Sequence, residues 1–350
     1  MKASYHQYIL QFKTPSGTSR GVLNTKETWF LILEANGKRG IGECGLLRGL
    51  SADDRPDYEA QLQWVCQNIH LGKEMLWEAL IEFPSIQFGV EMAFLSLESN
   101  TPFELFPSAF IQNTKSMAIN GLVWMGDEEY MKEQIEAKIA TGFQCIKLKI
   151  GALDFEKELG LLQYIRQNFN EEAIEIRVDA NGAFSLNDAL FKLNQLAGFK
   201  LHSIEQPIQK NNTDMMSALC KSTPIPIALD EELIGVFATE DKEALLQKVR
   251  PQYIILKPSF IGGFKGTLEW IALAQKYNIG WWITSALESN IGLNAIAQFT
   301  YLQNNPMPQG LGTGGLYTNN FDCPLTVSDG QLWYDSTKPW EFPIENFITL

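Results

Sequence analysis

Histidine is scarce in this chain: three in 350 residues, at His6, His70 and His202. They are too scattered to build a zinc site, which needs clustered imidazole or thiolate ligands. The five cysteines, Cys44, Cys66, Cys145, Cys220 and Cys323, form no CxxC pair and are odd in number. That excludes a disulfide framework, and reduced thiols in a cytoplasmic protein are expected instead. Basic charge is short as well, since 28 Lys and Arg face 41 Asp and Glu for a net charge of −13. Nucleic acids and anionic membrane surfaces call for basic patches, so neither is an expected partner. No apolar run reaches the ~18 residues of a membrane span, and Met1 to Gln7 has no apolar signal core.

Against these absences stands one recurrent pattern. Five apolar runs carry charge at or near their C-terminal ends: Lys147-Leu148-Lys149, Asp179, Glu205, Asp230 and Lys257. A strand turns successive side chains to opposite faces, so the two lysines share one face and Ile146, Leu148 and Ile150 the other. Arg177 and Asp179 oppose Ile174, Ile176 and Val178 in the same way. Steps of 30, 26, 25 and 27 residues separate Lys149, Asp179, Glu205, Asp230 and Lys257, the length of one strand, one helix and two short loops. Met117 to Trp124 is expected as the first strand, Gly280 to Ala286 as the seventh and Gln309 to Thr313 as the eighth. Asp127 opens a helix that Gly142 closes, and Ser185 to Asp188 is a capping signal for a helix to Leu196, with Gly198 as its stop. The expected fold class is α/β, a TIM-like (β/α) barrel with its chemistry at the C-terminal ends of the strands.

Residues 1–112 lack this rhythm. Tyr5 to Lys13 and Thr28 to Glu34 have strand character, Asp57 to Asn68 and Gly89 to Glu98 helix character, so a separate α+β capping domain is expected. The barrel would then occupy 113–321, and a C-terminal segment, 322–350, would pack back on the capping domain. A chain this long and 45% hydrophobic can bury one large core and one small one. Gly262-Gly263 superficially resembles a phosphate loop but lacks the rest of the Walker pattern, and is expected to be turn geometry.

Three carboxylates from successive strands repel one another strongly unless a cation sits among them. Asp179, Glu205 and Asp230 are therefore candidate metal ligands, and an all-oxygen set suits Mg²⁺ or Mn²⁺. A lysine titrates near ~10.4 and serves as a base once a neighbouring cation or desolvation lowers it towards roughly 7–8. Lys147 is placed to be that cation for Lys149, and Lys257 arrives from a strand across the mouth. Two lysines around a carboxylate trio suit proton abstraction next to the carboxylate of a small-molecule substrate. Arg177 and Asn181 are expected to support this group from behind. The oligomeric state is not legible.

Lys147-Leu148-Lys149, Asp179-Ala180-Asn181, Glu205-Gln206-Pro207, Asp230-Glu231 and Lys257-Pro258, in this order, resemble the barrel motifs of the enolase superfamily, in particular its muconate-lactonising-enzyme-like branch. The resemblance covers essentially the whole chain. It implies a (β/α)7β barrel with an N-terminal capping domain, Mg²⁺ held by Asp179, Glu205 and Asp230, with Mn²⁺ able to substitute, and Lys149 and Lys257 as the acid/base pair. The segments Ser285 to Leu293 and Gly310 to Leu316 resemble those of a dehydratase of that branch, and the second lacks the Asp-x-Asp of its dipeptide epimerases. A dehydration is thus implied, with Lys149 removing the α-proton and helping hydroxide leave while Lys257 stabilises the enediolate. Ser285 and Gly314 would contact substrate, and Arg20 would lie on a loop closing over the mouth. Racemisation or epimerisation by the same lysines is the alternative, and a non-catalytic binding barrel a distant third. A glycosidase would have no use for Lys149 and Lys257.

Overall fold

The computed structural model describes residues 1–18 and 21–343. The chain opens with an antiparallel sheet of β1 (Lys2–Thr18), β2 (Gly21–Ala35) and β3 (Lys38–Cys44), in that order. Asn36 and Gly37 lie between the paired residues Ala35 and Lys38 with φ of 52° and 75°, the left-handed geometry that a two-residue hairpin loop requires. Helices α1 (Tyr58–Gln67), α2 (Gly72–Ala79) and α3 (Pro84–Glu98) cover this sheet around a core that includes Trp29, Leu31, Leu62 and Val90. The approach of α3 to β3 is set by glycine: a Cβ on Gly42 would lie 1.9 Å from Gly89 O. The expected helix from Gly89 is the second half of α3, which starts at Pro84, a residue well suited to the first helical position.

The expected first strand is broken in two. β4 (Met117–Ala118) leaves the main sheet, and only β5 (Gly121–Val123) joins it. From there seven parallel strands follow one another in chain order: β5, β6 (Cys145–Lys149), β7 (Glu175–Asp179), β8 (Ser203–Glu205), β9 (Ile227–Leu229), β10 (Tyr253–Leu256) and β11 (Gly280–Ile283). Helices α4 (Glu128–Ala140), α5 (Phe155–Asn168), α6 (Ala189–Leu196), α7 (Thr213–Ser222) and α8 (Thr239–Val249) alternate with the strands. The short α9 (Pro258–Ile261) and α10 (Gly263–Lys276) follow β10, and α11 (Asn290–Leu302) follows β11. The sheet is curled. In place of the expected eighth strand, Gln309 and Gly310 make parallel bridges to Ile119 and Thr284.

Asp127 caps α4 as expected, accepting from Tyr130 N at 2.9 Å. The Ser185 signal does not open a helix directly, because Ser185 bonds to Asp188 within a turn and α6 starts only at Ala189. The left-handed stop after α6 is Lys200 (φ 50°) rather than Gly198. At the C-terminus β12 (Leu325–Ser328) and β13 (Gln331–Tyr334) form a hairpin paired with β4. Beyond it, Trp340 stacks on Phe103 at 4.2 Å and Phe342 meets Phe30 of β2 at 5.6 Å. Among the described residues no helix is long and apolar enough to cross a membrane.

Strand register aligns the charged positions. Lys149 pairs with Asp179 and Asp179 with Glu205, so three of them form one row along the C-terminal edge of the sheet. Asp230 and Lys257 continue that edge, each following directly on its strand.

Candidate active site

Asp179, Glu205 and Asp230 are almost fully buried at the ends of adjacent strands. Lysine ammonium groups bridge them. Lys147 Nζ lies 2.8 Å from Asp179 Oδ2 and also pairs with Glu205 Oε2. Lys149 Nζ donates to Asp179 Oδ2 at 2.6 Å and to Asn181 Oδ1 at 2.8 Å. Lys257 pairs with Asp230 and lies 3.9 Å from Glu205 Oε1.

The electrostatics follow from this crowding. Burial opposes the charged form of every group here. For Asp179 it is outweighed by Lys147 and Lys149, which hold its carboxyl well below the usual range. For Asp230 it is outweighed mainly by Lys257. Glu205, between the two, goes the other way: burial pushes it well above the usual carboxylate range, and the charge of Asp179 adds to the push. Burial would lower Lys147 and Lys257, but their carboxylate partners raise both.

A carboxylate whose neighbours disfavour its ionisation is what a divalent cation relieves, and this donor set is all oxygen, which suits a hard ion. The residues present fit such a metal, on one condition. Among the described residues no three Asp, Glu, His or Cys side chains close on a common point, and Lys147 and Lys257 sit against the trio's oxygens. An ion bound there must draw the lysines off those oxygens.

The turn residues behind the trio are shaped for support. Asn181 (φ 44°) donates its backbone N–H to Asp179 Oδ1 at 3.0 Å and its amide to Glu231 Oε1 at 3.0 Å. Gln206 (φ 38°) accepts through Oε1 from Asp230 N at 3.2 Å and donates to Glu232 Oε2 at 3.1 Å, joining the ends of β8 and β9. Glu231 and Glu232 were legible only as acids beside Asp230. The short 3₁₀ turn at Glu231–Leu233 sends them to Asn181 and Gln206.

Above the trio opens a cleft of about 730 Å³, its mouth included, lined by Lys147, Lys149, Lys257 and Asn181 below. Leu23, Leu47 and Leu50 enter it from the N-terminal part, and Trp124, Phe260 and Leu287 complete the apolar wall. No sequence pattern marked these apolar residues. Ser285 lines the cleft, its hydroxyl bonded to Thr313 Oγ1 at 2.6 Å.

Two expected residues lie elsewhere. Gly314 does not line the cleft: its carbonyl accepts from Asn320, and an added Cβ would sit 2.7 Å from Asn290 Oδ1, so its position answers packing. Arg177 touches neither Asp179 nor Lys149. It donates to Glu175 Oε1 at 2.7 Å and Pro308 O at 2.9 Å and lies 4.2 Å over the Trp282 ring. Same-face neighbours on a strand are ~6.6 Å apart along its axis, which puts Arg177 one level below the site. His202 belongs to that lower level too, 4.8 Å from Tyr253. Arg20 lies outside the described residues.

Comparison with known proteins gives this geometry its class. Residues 130–338 match the family model described as enolase C-terminal domain-like, and residues 1–97 match that of the MenC N-terminal domain. The chain is 47% identical to the o-succinylbenzoate synthase of Desulfotalea psychrophila over 95% of its own length and 98% of that protein. The crystal structure of MenC from the same organism superposes with a TM-score of 0.85 at 43% identity, covering 95% of this chain and 99% of that one. The L-Ala-D/L-Glu epimerase of Bacillus subtilis shares the fold, with a TM-score of 0.81 at 20% identity and 97% of each chain covered. The chain belongs to the enolase superfamily, whose enzymes are metal-dependent, and within it to the o-succinylbenzoate synthases. It is an enzyme, a lyase of that superfamily.

Proposed function

We propose that the enzyme carries out the syn dehydration of 2-succinyl-6-hydroxy-2,4-cyclohexadiene-1-carboxylate to 2-succinylbenzoate, a step of menaquinone biosynthesis. The observation that carries this reading is the convergence of Lys149 and Lys257 on one cleft, each held by a different member of a buried carboxylate trio. Asp179, Glu205 and Asp230 are assigned as ligands of Mg²⁺, with Mn²⁺ as a substitute. When bound, the ion supplies positive charge to the substrate carboxylate.

Lys149, as the free amine, removes the α-proton, and the C–H electron pair moves into the carboxylate to give an enediolate. That electron pair then returns to the ring and expels the hydroxyl group, which takes the proton from the Lys149 ammonium and leaves as water. Lys149 ends as the amine and the ring is aromatic. Lys257 keeps its proton and sets a positive charge against the enediolate. Lys147 sets its positive charge beside Lys149 on β6, and the apolar wall excludes water from the ring.

The same two lysines permit racemisation of an N-succinylamino acid or epimerisation of a dipeptide, and a superfamily epimerase shares the fold. Against the dipeptide reaction, the eighth-strand residues in the cleft are Gly310, Gly312 and Thr313, with no carboxylate for a substrate ammonium.

The domain plan that goes with this reading is a capping domain at 1–112, a barrel at 113–321 closed into a (β/α)7β form through Gln309 and Gly310, and a C-terminal segment from 322 that returns to the capping domain over its described residues, to 343. The five free cysteines suit a cytoplasmic enzyme. The test is Mg²⁺-dependent loss of the cyclohexadiene chromophore. Wild type turns over, and Lys149→Ala and Lys257→Ala do not. No turnover by metal-loaded wild type would move the assignment to racemisation, read as deuterium exchange into N-succinyl amino acids.

A further inference from the structure

Lys257 stands where β10 ends and α9 begins, as the residue that caps α9. The helix has four residues and starts with a proline, so it cannot hold its own orientation, since isolated helices this short do not form. What holds it comes largely from the N-terminal part of the chain. Trp77, on α2, donates its indole N–H to Gly262 O at 3.0 Å, at the exit of α9. Two and three residues further, the Glu91 carboxylate of α3 accepts from Phe264 N at 2.5 Å and from Lys265 N at 3.1 Å.

The Gly262-Gly263 pair, so similar to a phosphate loop in sequence, receives a carboxyl group from the chain itself, that of Glu91. Its φ angles of 94° and 70° turn the first amides of α10 towards Glu91, the arrangement by which a helix N-terminus receives negative charge. A Cβ on Gly263 would lie 2.1 Å from Glu91 Oε2, so only glycine admits the carboxylate. At the other end, Ser259 donates to the buried Glu288 at 2.5 Å, and a Cβ on Gly45 would lie 2.7 Å from Ser259 Oγ.

We infer that Trp77 and Glu91 are positioning residues for Lys257: the N-terminal domain grips α9 at its exit and thereby sets the place of the lysine in a cleft whose other lysines ride on β6 alone. The inference rests on the assignment of Lys257 to the reaction. Lys149 needs no such grip, because it lies within β6 and pairs there with Asp179, whereas Lys257 follows the last residue of β10.

The test uses the full-length, Mg²⁺-loaded enzyme with Trp77→Phe, which keeps the ring and removes the donor, and with Glu91→Gln, which keeps the shape and removes the charge. In each variant kcat is expected to fall at least fivefold with KM within twofold. In parallel, peptide-level hydrogen exchange without substrate is expected to speed up at least tenfold over residues 258–265 and to stay unchanged over 145–149 and 175–179. Unchanged kcat despite loss of protection over 258–265 would overturn the inference, as would exchange rising evenly along the chain, which marks ordinary structural residues. The exchange arm requires no turnover. A wild-type enzyme that fails to dehydrate the cyclohexadiene therefore counts against the proposed reaction, while the grip on α9 is still decided by exchange.

Discussion

Lys147 and Lys149 converge on a single oxygen, Asp179 Oδ2, at 2.8 and 2.6 Å. They are not equivalent. Lys147 is pinned between Asp179 and Glu205, whereas Lys149 donates its second bond to the neutral Asn181.

Lys149→Ala is expected to lower kcat by about 10²–10⁴-fold, the scale of a lost general base. Lys149→Arg fares no better, since a guanidinium does not deprotonate in this range. Both variants keep the fold, because Lys147 still compensates Asp179. Chromophore loss with far-UV circular dichroism as control checks this, and turnover by Lys149→Arg near the wild-type rate would remove Lys149 from the base role.

Excess chelator is expected to abolish turnover, while added salt is expected to weaken it only modestly, since buried groups are screened little. Mg²⁺ at about 100 times its Kd adds about 2.7 kcal/mol of stability by linkage, so Tm of the wild type rises by several degrees. Glu205→Gln removes the central member of the proposed ligand set and is expected to lose this shift. A full Mg²⁺ shift in Glu205→Gln, measured by scanning calorimetry, would place the ion elsewhere.

Burial raises Glu91 from the ordinary 4.5 to about 7, offset in part by the Phe264 and Lys265 amides and by Lys73 and Lys265. The folded state thus binds this proton more tightly than the unfolded chain, and stability falls as pH rises from about 4.5 to 7. Glu91→Gln abolishes that component, so its stability relative to wild type should rise between pH 5 and 8, by up to on the order of 3 kcal/mol. Urea denaturation at both pH values measures the difference, and a pH-independent gap would contradict the shift.

Gly42→Ala places a methyl group 1.9 Å from Gly89 O, where backbone on both sides leaves little room to yield. Overpacking of this kind costs about 1–3 kcal/mol. A lowered Tm with kcat retained in the folded fraction is the expected result, and an unchanged Tm would mean that α3 and β3 separate freely.

Charge at the strand ends was legible because it obeys two periods at once, alternation along a strand and a recurrence of 25 to 30 residues between strands. Arg177 shows where alternation stops being informative, since it shares a face with Asp179 but lies one level down, with Trp282 and Pro308. The eighth strand shows a second limit: Gln309 to Thr313 is placed correctly by the sequence, but only Gln309 and Gly310 pair, as isolated bridges, because pairing depends on neighbours far away in the chain.

By itself, then, the sequence determined the carboxylate trio, the three lysines and the parallel α/β sheet that carries them, because each depends on local periodicity and regular spacing. Only the tertiary structure decided which apolar residues wall the cleft and what holds Lys257. Leu23, Leu47 and Leu50 reach the cleft, Trp77 reaches the exit of α9 and Glu91 the first amides of α10, from far away in the chain. Contacts between distant segments leave no repeat in either one, so they exist only once both have folded against each other.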